Sequence, residues 1–374
     1  MASIFEFFAR VLGYVLNWLY LLTNNYGFAI LLLTILIALV MIPVDIKNRK
    51  INKQSAKLSK IQKEIEEKYK GNREKINSEM MKEMQKQGIN PLASCSGCLI
   101  SLLQLFIMIS IFYLVGSPLT YVKKLPKEEI NKYYIEAVEK TYSEKYGESI
   151  DLNKLKEEQS NNNEQKDPKN EEKPEEQEKG KDQKDEISNE EKLKRVKEIE
   201  SKFGTNGREM FVIRKLDNEK VNMNLDFLGI DLSKTPRDTV SNMKDAFSKN
   251  GIKVLIIPIG YIILSFINVG IMQKRLEEQT KEAKEEVNTD NTMKSKYKSD
   301  LSEDSEKLNQ EDMQDIMMSS NKTMRYIMPV MIFSITMITP IAIALYWLLS
   351  TAFDMIKNKV VDDVIEKENI EEKV

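Results

Sequence analysis

Residues 28–50 read FAILLLTILIALVMIPVDIKNRK, and no other stretch limits the possible folds as much. Up to residue 44 the only side chain with a polar group is Thr34, and about seventeen residues at 1.5 Å rise is the lower limit for a helix crossing hydrocarbon. The stretch predicts a membrane span. It runs into Asp45, Lys47, Arg49 and Lys50, and Lys53, Lys57, Lys60 and Lys63 all follow before the next acid, Glu64. An excess of Lys and Arg beside a span marks its cytoplasmic end, so the orientation follows.

The mean hydropathy of −0.41 is that of a soluble protein, but it averages nearly charge-free runs with tracts of Lys, Glu, Asp, Asn and Gln. The formal net charge of −2 argues against DNA as a partner, because no basic face dominates. Histidine is absent and there are two cysteines, Cys95 and Cys98. The commonest general base is therefore missing, and two thiols cannot close a tetrahedral zinc site. Cys95-Ser-Gly-Cys98 has a redox spacing without the strand-to-helix setting, and reads as packing at a membrane edge. No enzyme and no cofactor is expected.

Read in order, residues 1–25 make an amphipathic helix in the membrane interface, with Glu6, Arg10, Gly13 and Asn17 on one stripe and Trp18 and Tyr20 at headgroup level. A further full span is the other reading of this segment. Residues 26–46 form the first span. Residues 47–96 predict a cytoplasmic helical hairpin whose thin apolar seams, Leu58, Ile61, Ile65 and Tyr69 against Ile76, Met80 and Met84, face each other across Gly71-Asn72. Residues 97–116 return outward as the second span.

Residues 117–250 are an extracytoplasmic loop by parity. Within it residues 157–192 are expected to be disordered, residues 130–146 and 193–203 helical, and residues 210–222 a small strand pair. Residues 251–272 form the third span, residues 273–323 a charged cytoplasmic loop, and residues 324–357 a fourth and fifth span turning outside at Thr339-Pro340. Residues 358–374 are a cytoplasmic acidic tail. At about fifteen residues the fourth span is short, which implies a locally thinned bilayer.

Several separated motifs carry a resemblance. Pro43 with Asp45-Ile-Lys47-Asn48, then Ile61-Gln-Lys-Glu64, Glu67-Lys-Tyr-Lys70 and Asn77-Ser-Glu-Met-Met81 come first. Gly88-Ile-Asn-Pro-Leu92 and Gly97-Cys-Leu99 with Gln104 follow, then Phe227-Leu-Gly-Ile-Asp-Leu232, Met328-Pro329, and Pro340 with Leu345-Tyr-Trp347. In this order they are similar to the YidC/Oxa/Alb family of membrane protein insertases, in the form typical of Gram-positive bacteria.

The resemblance implies an all-α membrane protein: a five-span core bundle, a cytoplasmic hairpin and an N-terminal interfacial helix. It implies a hydrophilic groove, open to cytoplasm and lipid, that passes client segments into the bilayer without ATP, alone or with the Sec translocon. By matching positions Thr34 and Trp347 are groove residues, with Ala38, Gln104, Asn268 and Tyr346 beside them. Lys57, Lys60, Lys68, Lys70 and Arg73 are the hairpin's contacts. Nascent membrane proteins, lipids and the ribosome are the implied partners.

The sequence departs from the family where an arginine is usual and Ala38 stands. Prolines expected around Ile100 and Phe106 are also missing, a few residues are added between Leu92 and Gly97, and the long outer loop follows the second span. A transporter or channel is the competing class, but such proteins place charges well inside their spans, and these spans hold none. A specialised paralogue that binds an envelope partner through its outer loop is the third reading.

Overall fold

The computed structural model describes residues 2–69, 72–86, 91–164, 188–201, 203, 207–240, 242–289 and 326–371. The described chain is mostly helical. Three helices, α1 (Ala2–Thr23), α2 (Tyr26–Lys68) and α12 (Lys249–Thr289), contain segments long and apolar enough to cross a membrane: Phe5–Thr23, Tyr26–Ile51 and Lys249–Arg275. α4 (Pro91–Gly116), α13 (Tyr326–Thr336) and α14 (Ile341–Glu371) complete the apolar bundle.

α2 starts where the Asn25 side chain accepts the Phe28 N–H at 3.2 Å. It then runs for 43 residues, about 65 Å, straight through Pro43. That is roughly twice the hydrocarbon thickness. The span and the first arm of the charged segment are therefore one helix, and Ile65, fully buried, lies near the end of the arm. α3 (Arg73–Lys86) packs back against α2. α12 continues past its apolar part in the same way, to residue 289 of the region expected to be a loop. α14 carries the expected acidic tail as helix to Glu371.

α14 packs on α2, α4 and α12. Its first two turns, from Ile341 to Trp347, are buried on every side, which is the pattern of a helix enclosed by others. α1 lies across α2 and α4. Its Phe5 ring meets Phe106 at 5.2 Å, and Gly13 sits so close to Tyr121 that a Cβ would be 2.8 Å from the Tyr121 carbonyl oxygen.

A helical cap covers the end of the bundle where α4 stops and α14 begins. It comprises α5 (Pro118–Tyr121), α6 (Lys127–Tyr146), α7 (Leu152–Glu164), α8 (Asn189–Ser201), α9 (Arg208–Lys215), α10 (Pro236–Thr239) and α11 (Met243–Ala246). Phe203 stacks on Phe211 at 4.1 Å and both meet Tyr134 edge-on, giving the cap an aromatic core. The buried Glu209 accepts hydrogen bonds from the Thr120 N–H (2.9 Å) and hydroxyl (2.6 Å). Burial pushes its carboxyl above the usual carboxylate range, against the pull of those two bonds.

Two expectations change here. Residues 210–222 do not pair as strands, because residues 208–215 form α9. Glu209 in its first turn and Arg214 and Lys215 in its last complement the helix dipole, and Met210, Phe211, Val212 and Ile213 are all buried. The strand pair lies further on, as β1 (Asp226–Phe227) and β2 (Ile230–Asp231), joined through Leu228 and Gly229 at φ 53° and 79°. Positive φ at both turn residues matches the twist of a tight hairpin. Of residues 157–192, the first eight continue α7 and the last belong to α8, and residues 165–187 lie outside the described set.

The hairpin seats the cap on the bundle. Phe227 covers Gly27 and meets Phe28 edge-on at 5.1 Å, and Asn25 Nδ2 donates to the Asp226 carbonyl at 2.6 Å. The turn between α13 and α14 is clamped next to it. The Ile341 and Ala342 amides donate to the Lys234 and Leu232 carbonyls, and the Arg237 amide donates to the Met337 carbonyl.

Candidate functional site

Thr34 lies on the side of α2 turned into the bundle, buried, with its hydroxyl donating to the Ile30 carbonyl at 2.7 Å. Ala38, one turn on, is half-buried, as is Asn268 on α12. Tyr346 and Trp347 are buried in α14. The Gln104 side chain lies outside the described set. The polar residues expected to line an open groove are thus, where described, largely enclosed by helices.

Other hydroxyls of the bundle are likewise satisfied locally. Ser110 donates to the Phe106 carbonyl, Thr336 to Phe333, Thr339 to Ile335 and Thr351 to Trp347, each one turn back in its own segment. Back-bonding of this kind lets an apolar bundle carry hydroxyls without unpaired donors. Trp347 differs. Its ring stacks on Phe112 of α4 at 5.9 Å and meets Tyr261 of α12 at 6.3 Å, and its buried Nε1–H has no hydrogen-bond partner among the described residues. An unmet buried donor is uncommon, because its lost hydration costs about 1–3 kcal/mol.

At the other end of the bundle is a cluster of which the motifs named only Asp45. Lys357, 7% exposed, forms ion pairs with Asp45 of α2 (2.7 Å) and Asp354 of its own helix (2.8 Å). One turn further, Arg49 of α2 pairs with Asp362 and donates to Asn358 Oδ1 at 2.8 Å, and Arg275 of α12 takes the second Asp362 oxygen at 3.0 Å. Lys50 reaches Glu368 at 2.7 Å. The acids of the tail thus pair with the basic residues that follow the apolar parts of α2 and α12. The available signal was Asp45, an acid standing alone among seven cations.

Among the proposed hairpin contacts, Lys68 and Arg73 are exposed, with the Lys68 Nζ 5.4 Å from the Tyr69 ring centroid. The side chains of Lys57, Lys60 and Lys70 lie outside the described set.

Comparison with known proteins bears on the part of the chain that holds the motifs from Pro43 to Gln104. The pattern of the 60Kd inner membrane protein family matches residues 18–158. A membrane protein insertase YidC of Syntrophobacter fumaroxidans is 38% identical over 112 residues, which is 30% of this chain and 20% of that protein. Those of Wolinella succinogenes and Helicobacter pylori are 38% identical over 106 residues and 35% over 110, covering 28% and 29% of this chain and 19% and 20% of theirs. The matches thus span about a fifth of the length of these curated relatives. No solved structure matches the chain.

Proposed function

We propose that this chain is a member of the YidC family of membrane protein insertases and that it moves client transmembrane segments from the cytoplasm into the bilayer, a reading supported by the family match over residues 18–158 and by the similarity to YidC insertases. The path runs along the inward sides of α2 and α14, past Thr34 and Trp347, with Ala38, Gln104, Asn268 and Tyr346 beside it. In this reading α1 lies at the outer interface and the five spans are the apolar parts of α2, α4, α12, α13 and α14. The hairpin and C-terminus are cytoplasmic and the cap is outside. Two features support that topology: the basic flanks after the first, third and fifth spans, and the ion pairs that hold those three ends together. The position of the cap after the second span supports the Gram-positive type.

The observation that carries the proposal is the Trp347 indole N–H, buried where α4, α12 and α14 meet and without a hydrogen-bond partner among the described residues. The hydroxyls of Thr34, Ser110, Thr336, Thr339 and Thr351 are already bonded, so this donor is the group an entering polar backbone or side chain would satisfy. A charged client flank costs on the order of 3 kcal/mol to place at a bilayer centre, and polar contacts along a thinned path reduce that cost. Enclosure means that a client reaches the donor only when α14 parts from its neighbours. The Sec translocon, the ribosome at the basic hairpin, and lipids are the proposed partners.

Depletion of the protein, followed by protease mapping of a small single-span client, tests this. We expect the client's outer tail to stay protease-inaccessible in depleted cells, to be restored by the wild-type chain, and to be restored several-fold less well by Trp347→Phe, which keeps the stacking and removes the N–H. Unchanged insertion on depletion would remove the function. Full rescue by Trp347→Phe would remove the role of the donor.

A further inference from the structure

A second polar site lies at the opposite end of the molecule from the ion-pair cluster, where α1 meets α5 and the start of α6. Here a cleft of about 260 Å³ is lined by Glu6, Arg10, Tyr14, Tyr121, Lys124 and Lys127, among others. It adjoins a larger cleft of about 540 Å³ that shares Tyr121 and Lys127. Three cations and one acid converge on the smaller cleft. None of the three cations forms an ion pair among the described residues, although elsewhere on the cap Lys145, Lys215 and Lys220 all do.

Two features set the cleft apart from a solvated basic surface. Lys124 has φ 57°, a left-handed conformation that side-chain-bearing residues seldom adopt, and its ammonium sits 3.7 Å from the centre of the Tyr14 ring. The loop is therefore held in an uncommon shape that turns a lysine toward α1. Next to Glu6, Arg10 and Tyr14 on α1 runs an exposed apolar stripe, Phe7, Val11 and Trp18, at spacings of four and seven residues. In a membrane protein such a stripe faces acyl chains. Cations beside it stand at headgroup depth, with tyrosine and tryptophan where the interface favours them.

We propose that this cleft binds the phosphate of an anionic phospholipid, with Arg10, Lys124 and Lys127 on the headgroup and the acyl chains along Phe7, Val11 and Trp18. Charge complementarity selects an anionic over a zwitterionic headgroup, and the continuity of cleft and stripe selects a lipid over a soluble anion. The site is independent of the client path. The proposed topology enters only in assigning it to the outer leaflet.

The chain has two tryptophans, Trp18 exposed on the stripe and Trp347 buried, so fluorescence quenching by brominated lipid reports on the site through Trp18. In the reconstituted protein, brominated phosphatidylglycerol is expected to quench Trp18 in preference to brominated phosphatidylcholine at equal mole fraction. The preference should fall by about fivefold for each cation removed in Arg10→Gln, Lys124→Asn and Lys127→Gln. Asparagine tolerates the left-handed conformation, so the loop keeps its shape. Arg10→Gln alone, which leaves the loop intact, keeps the test available if the triple variant fails to fold.

Removing three other exposed lysines of the cap, with Lys132→Gln, Lys154→Gln and Lys194→Gln, should leave the preference in place. An unchanged preference in the cleft variants would overturn the site, and so would an equal loss in the control. Inorganic phosphate at matched ionic strength should not abolish the preference. If it does, the cleft is a soluble-anion site and the lipid assignment fails.

Discussion

Lys357→Met will destabilise the bundle by about 3 kcal/mol, the lower end of the cost of removing one partner from a buried ion pair. The wild-type ammonium is 7% exposed and answers two carboxylates, Asp45 at 14% and Asp354 at 34% exposure. Methionine fills much of the same volume, so the loss is electrostatic: two acids remain side by side without the ammonium between them. The lower end applies because Asp354 can still turn toward solvent. Thermal unfolding in detergent should show the melting temperature falling by several degrees. Adding Asp45→Asn and Asp354→Asn to Lys357→Met should recover most of the loss, since neutral amides need no counter-ion. A single variant that melts like wild type would mean the cluster does not hold α2 to α14.

Gly251→Ala is expected to cost about as much, near 3 kcal/mol, for a steric reason. A Cβ at Gly251 would lie 1.9 Å from the Asp245 carbonyl oxygen and 3.0 Å from the Ala246 Cα, both backbone atoms. Overpacking costs typically 1–3 kcal/mol, and the upper end applies where no side chain can swing aside. α11 is fixed by a capping box between Asn242 and Asp245, and the Gly251 N–H donates to Ser248 Oγ at 3.0 Å, so the corner into α12 cannot relax locally. Gly270→Ala on the same helix is the control. Nothing lies within 4 Å of its added methyl, and alanine is the better helix former, so that variant should be neutral or slightly stabilised. Equal melting temperatures for the two variants would show that the close approach at Gly251 carries no energetic weight.

How far the sequence discloses this architecture depends on the range of the interaction concerned. The apolar run after Tyr26 and the basic residues after Val44 are local signals, and they suffice to identify a span and its charged end. That span and arm form a single helix through Pro43 was not legible, because proline reads as a breaker although membrane helices tolerate it when neighbours meet the freed carbonyl. The Phe-Val-Ile run in residues 211–213 looks like a strand, yet total enclosure in the cap suits a short helix equally well. The ion pairs join positions 313 residues apart in the case of Arg49 and Asp362, and charge pattern along one sequence carries no such pairing. Motif order pointed to Thr34 and Trp347, but only packing shows that the Thr34 hydroxyl is already satisfied while the Trp347 indole is not.

The most direct measurement is photo-crosslinking from single positions to a ribosome-stalled nascent chain that bears one transmembrane segment. A photoreactive residue at position 34, 38 or 347 should give adducts several-fold stronger than one at Ile256 or Ile263, which lie exposed on the outside of α12. Strong adducts from Ile256 and Ile263, with none from positions 34, 38 and 347, would place the client on the outer face of the bundle and contradict a path between α2 and α14.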